Sequence, residues 1–108
     1  MKTIFVKRQM QRVIDNTLQL IVYHEVVEHN GKKFRILIQA TERPYQSNFA
    51  KVDLLTENGW VLFLHTDNLG INFDPISKIL NNQYKTDDER ITAMDEIVST
   101  FKEYIQLF

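Results

Sequence analysis

Glu25, His65 and Asp67 are the side chains of this 108-residue chain with the strongest claim to chemistry. Glu25 interrupts an otherwise apolar row of alternating residues. A carboxylate there either finds a partner or has its proton affinity raised, because burial of an isolated charge is expensive. His65-Thr66-Asp67 is a His-x-Asp triplet at the end of an apolar run. Gathered in a pocket, Glu25, His65 and Asp67 would supply the acid and base of a small enzyme. Paired with Arg or Lys, or set at the open margin of a sheet, Glu25 would be purely structural. A metal site would require His65, Asp67 and Asp74 to converge, which is a thin donor set. The other histidines, His24 and His29, differ in strand parity and point to opposite faces.

The remaining chemistry is excluded more firmly. The chain has no Cys, hence no thiol nucleophile, disulfide or Cys-based zinc site. Ser47, Ser77 and Ser99 lack the Gly-x-Ser-x-Gly elbow of a nucleophilic serine. Three glycines form no phosphate-cradling loop. The expectation is a non-catalytic protein without metal or cofactor.

Charge points toward macromolecules instead. Residues 1–51 hold nine Lys or Arg and four Asp or Glu, net +5, whereas residues 52–108 hold four and ten, net −6. Such halves either pair internally or present oppositely charged surfaces. Lys33, Arg35, Arg43 and Tyr45 would be the phosphate-binding and stacking residues of a nucleic-acid binder. The overall charge of −1 and the acidic second half weigh against that alternative.

These side chains need elements to hold them. Val6, Met10, Val13, Ile14 and Thr17 recur at helical spacing, so the pattern predicts an N-terminal helix over residues 3–16. Asn30-Gly31 and Asn58-Gly59 are two-residue hairpin turn signals, since Asn and Gly both tolerate positive φ. The first pairs Leu18–His29 with Lys32–Thr41. Ile21, Tyr23, Glu25, Val27, Phe34, Ile36, Ile38 and Ala40 then share one nearly apolar face, and Glu28 faces Lys33. The second pairs residues 49–56 with 60–65, setting Glu57 against Trp60 and Leu55 against Leu62. Pro44 stops the strand before the connection at residues 42–47.

Asp74-Pro75 starts a shorter helix carrying Ile76, Ile79 and Leu80. Thr86-Asp87-Asp88-Glu89 is a capping box ahead of Ile91, Met94, Ile97, Val98, Phe101, Tyr104, Ile105 and Phe108, the stripe of a helix of roughly 20 residues. The fold expected is a single α+β domain over residues 1–108. It has a four-stranded antiparallel sheet packed by the long C-terminal helix, the shorter helix before it and the N-terminal helix.

Apolar surplus supplies the last signal. Leu55, Trp60, Leu62 and Leu64 fall on one face of the second hairpin and form a patch if the helices cover the other. With Asp95 and Glu96 providing charge steering, they would bind a protein partner or a second copy of the chain. Small motif-less domains of this kind include inhibitors and accessory proteins of mobile elements. No apolar run reaches the ~20 residues of a membrane span, and the N-terminus lacks a signal-peptide core. A soluble cytoplasmic protein is expected.

Overall fold

Asn30 and Gly31 take φ of 52° and 77°, the double left-handed geometry of a type I′ turn. They close a hairpin between β2 (Leu18–His29) and β3 (Lys32–Thr41), with His29 opposite Lys32 and Glu28 opposite Lys33. The computed structural model describes residues 1–12, 18–41, 49–65 and 87–108. They form β1 (Lys2–Arg12), β2, β3, β4 (Phe49–Thr56), β5 (Gly59–His65) and one helix, α1 (Asp87–Ile105). The strands make one antiparallel meander in the order β1-β2-β3-β4-β5.

The expected four-stranded sheet is therefore five-stranded, and the expected N-terminal helix is wrong. Residues 2–12 are a strand paired along β2, with Val6 opposite Glu25 and Met10 opposite Ile21. Thr3, Ile4, Phe5 and Val6 favour extended backbone. Pairing also satisfies the main-chain groups along the edge of β2, which a helix would leave open. The recurrence of apolar residues at helical spacing was incidental. The shorter helix expected after Asp74 falls outside the described residues, as does the Thr86 cap.

The second Asn-Gly turn differs from its expected form. Thr56 pairs with Gly59 and Leu55 with Trp60, so the turn residues are Glu57 and Asn58. Gly59 carries the positive φ, 95°, and among the described residues Asn30 is the only non-glycine with one. A right-handed turn followed by a left-handed Gly is the bulged hairpin alternative to the two-residue turn. The Thr56 hydroxyl secures it, accepting from the Asn58 amide at 3.2 Å and donating to the Gly59 carbonyl at 2.9 Å. Leu55 thus faces Trp60 rather than Leu62. The displacement is two residues, so parity near the turn survives.

Parity changes further along β5. Asp53 pairs with Leu62 but Val52 with Leu64, which makes Phe63 a bulge residue. Phe63 packs edge-on to Phe34 and Phe108, at ring separations of 5.2 and 4.6 Å.

One sheet face carries the core. Ile21, Tyr23, Val27, Phe34, Ile36, Ile38, Ala40, Ala50 and Val52 are buried against Ala93, Met94, Ile97, Val98, Phe101 and Ile105 of α1. The face assignment expected for the first hairpin holds throughout, and the helix stripe from Met94 to Ile105 is the buried one. Beyond α1 the chain reaches the first hairpin, where Asn30 Nδ2 donates to the Phe108 carbonyl at 3.0 Å.

Candidate functional site

Glu25 lies on the helix-covered face, one strand in from the β1 edge, in register with Val6 of β1 and Ile36 of β3. It is only 2% exposed. Three elements converge on its carboxylate. Tyr23, two residues along the same strand face, donates its hydroxyl to Oε1. Thr3 of β1 donates to Oε2 at 2.7 Å, and Lys102 Nζ of α1 lies 2.8 Å from the same oxygen. Burial pushes the Glu25 carboxyl up. Hydrogen bonds from Lys102, Thr3 and Tyr23, with the Lys102 charge, outweigh it and hold the group below the usual carboxylate range. Tyr23 is driven the other way by its own burial, its bond to Glu25 and that carboxylate's charge.

This geometry argues against acid-base chemistry. Both oxygens are engaged, the group is out of reach of solvent, and its proton affinity is lowered rather than raised toward neutrality. Glu25 instead clamps β1, β2 and α1 together. Arg8 extends the clamp outward, bonding to Asp95 of α1 and lying 5.5 Å over the Tyr23 ring.

His65 is opposite Lys51, on the other side of the sheet from Glu25. Glu25 and His65 do not share a pocket, and Asp67 and Asp74 are outside the described residues. Among the described residues no group of three metal-binding side chains occurs.

The outer sheet face, away from α1, holds a second polar cluster. Asp53, 2% exposed, accepts from Arg35 Nη2 at 2.7 Å and Nε at 3.2 Å, and Lys51 Nζ is 3.4 Å away. The Arg35 guanidinium lies 4.6 Å from the Trp60 ring centre, a cation–π arrangement. Arg35, expected to contact nucleic acid, is thus occupied by Asp53 and Trp60. Lys33 is exposed on the same face, whereas Arg43 and Tyr45 lie outside the described residues.

Leu55, Trp60 and Leu62 do come together on this outer face, with Leu55 at 41% and Leu62 at 58% exposure and Trp60 half-buried. Leu64 leaves them, because the Phe63 bulge turns it toward Val52 and the core. Asp95 and Glu96 are exposed on α1, across the sheet from Trp60. They cannot flank a Trp60-centred contact.

His24 lies on the outer face, edge-on to Phe5 at 5.1 Å. Among the described residues its buried Nε2 has no hydrogen-bond partner. Burial, then the charges of Arg35 and Lys7, lowers its proton affinity. An orphaned polar atom costs about 1–3 kcal/mol. His24→Phe is therefore expected to raise unfolding free energy by about 1 kcal/mol in urea titrations at pH 7. Below the ordinary histidine value of about 6.5, the unfolded chain takes up a proton that the folded imidazole resists. The advantage of the variant should grow as pH falls through that point. An unchanged or lower stability would show that Nε2 is satisfied in solution.

Reasoning from the sequence missed Thr3, Tyr23 and Lys102 as partners of Glu25, and Asp53 as a buried acid. Lys102 carried a readable signal: it lies on the i+4 row that runs through Met94 and Val98. Comparison with protein-family models, curated proteins and solved structures finds no match to this chain.

Proposed function

We propose that this chain is a non-catalytic protein-interaction module that offers the outer face of its sheet, around Leu55, Trp60 and Leu62, to a protein partner. The observation supporting it is the exposure of Leu55, directly across from Trp60, and of Leu62, two residues along β5 from Trp60, on the face that α1 leaves uncovered. Apolar surface of that type is typical of partner contacts. Lys33 is exposed on the same face, while Arg35 and Lys51 are paired with Asp53, so the complementary partner is chiefly apolar with an acidic group placed for Lys33. Inhibition of a mobile element, or an accessory role in one, would be an activity of this class, and the partner's identity decides it.

The test uses the intact chain as bait in an extract of its source cells, beside a Leu55→Asp/Leu62→Asp variant. Both leucines are exposed, so the variant should keep its circular dichroism and melting point within about 0.5 kcal/mol of stability. A protein retained by the parent chain and depleted at least tenfold by the variant supports the reading. Equal retention overturns it. So does capture of nucleic acid that is released by salt and lost with Lys33→Glu, the signature of phosphate contacts. Light scattering separates a foreign partner from a second copy, which would appear as a dimer dissociated by the same two substitutions.

A further inference from the structure

We infer that the open edge of β1 is a docking site for an extended, acidic segment of a partner protein, added to the sheet as a sixth strand. It lies at the opposite edge from β5, so it stands or falls independently of the Leu55–Trp60–Leu62 surface.

The backbone supplies the first reason. β1 is the terminal strand of the sheet, and among the described residues only β2 pairs with it. Among the described residues its second row of amide and carbonyl groups has no strand partner, the arrangement to which another chain can add. The ladder with β2 runs without a break over residues 5–11, between register shifts at Thr3/Phe5 and Gln11/Arg12. That is seven residues of regular strand, roughly 23 Å of template.

The side chains supply the second reason. Ile4, Phe5 and Val6 are 48%, 44% and 56% exposed, an apolar run where a solvent-facing edge is ordinarily polar. Val6 and Met10 share the row on the helix side with Arg8, which is engaged by Asp95. Phe5, Lys7 and Gln9 form the other row.

Charge selects the occupant. Residues 1–12 contain Lys2, Lys7, Arg8 and Arg12 and no acid. Among the described residues Lys7 forms no ion pair, and its register partner is His24, so no acid faces it across the β1–β2 ladder. A second β1 strand would bring like charges into one ladder, which disfavours self-pairing. A strand alternating acidic and apolar residues sets its acids beside Lys7 and its apolar row beside Val6 and Met10.

The probe is a labelled seven-residue peptide alternating Glu and Val, titrated into the intact chain by fluorescence anisotropy. It should bind at least tenfold tighter than the Lys/Val counterpart. Methylation of alternate backbone amides should abolish binding, because an added strand needs them. Lys7→Glu, at an exposed position, should reverse the preference between the two peptides, while Leu62→Asp on the far edge should leave it unchanged. Absence of binding, equal binding of both peptides, or indifference to methylation overturns the proposal. A concentration-dependent dimer that Val6→Asp dissociates also overturns it, by showing that a second copy takes the edge.

Discussion

Phe34→Ala is expected to lower the unfolding free energy by about 3–5 kcal/mol, the range for a fully buried aromatic truncated in a core that cannot collapse around the gap. Phe34 has no exposed surface, faces Leu54 across the β3–β4 pair and meets the Phe63 ring. Truncation removes its burial and also loosens the edge-on chain that runs from Phe34 through Phe63 to Phe108. Domains of this size are held by about 5–15 kcal/mol in all, so the variant should lie close to unfolding at 37 °C. Urea denaturation followed by Trp60 fluorescence measures the loss. A cost under about 1 kcal/mol would mean that Phe34 is not enclosed by α1 and β5 as described. Phe63→Ala, at a half-buried bulge position, should cost less than Phe34→Ala in the same assay.

The second large effect concerns the Glu25 clamp. Removing one partner of a buried ion pair costs about 3–5 kcal/mol because the other charge is left uncompensated. The Lys102 side chain is 32% exposed, so water moderates that cost, and Lys102→Ala is expected to lose about 2–3 kcal/mol. Glu25→Gln made in the Lys102→Ala background should recover part of the loss, since a neutral amide keeps polar contacts without an unpaired charge. A double-substitution cycle in which the two losses simply add would show that Lys102 and Glu25 do not interact in solution.

The same clamp makes stability depend on pH in the acid range. The folded Glu25 carboxyl titrates below its unfolded value, so the unfolded chain binds more protons in between and stability rises with pH there. Its contribution is complete above the ordinary glutamate value of about 4.3 and is lost as pH falls through the folded value. Glu25→Gln should flatten that part of the stability curve. Lys102→Ala should move the loss to higher pH, because burial then acts on the carboxyl without its cation.

Much of the first hairpin was legible before any coordinates. Asn30-Gly31 specifies a turn by its tolerance of positive φ, and period-two alternation then sorts Ile21 to Val27 and Phe34 to Ala40 onto the buried face. Residues 87–105 were as clear, because the stripe from Met94 to Ile105 leaves only one face to bury. Glu25 stood out as a polar residue in an apolar row, although its partners did not. The second hairpin was half legible: Leu55, Trp60 and Leu62 fall together as expected, while Leu64 does not.

Local pattern alone thus determined the β2–β3 turn, its faces and the buried stripe of α1, because each depends on residues adjacent along the chain. Only the tertiary structure decided that residues 2–12 extend along β2, that β5 bulges at Phe63, and that Lys102 and Thr3 join the neighbouring Tyr23 at Glu25. Those outcomes turn on groups far apart in sequence, such as an edge of β2 needing hydrogen-bond partners and a carboxylate needing a cation. No spacing within a single segment encodes such needs.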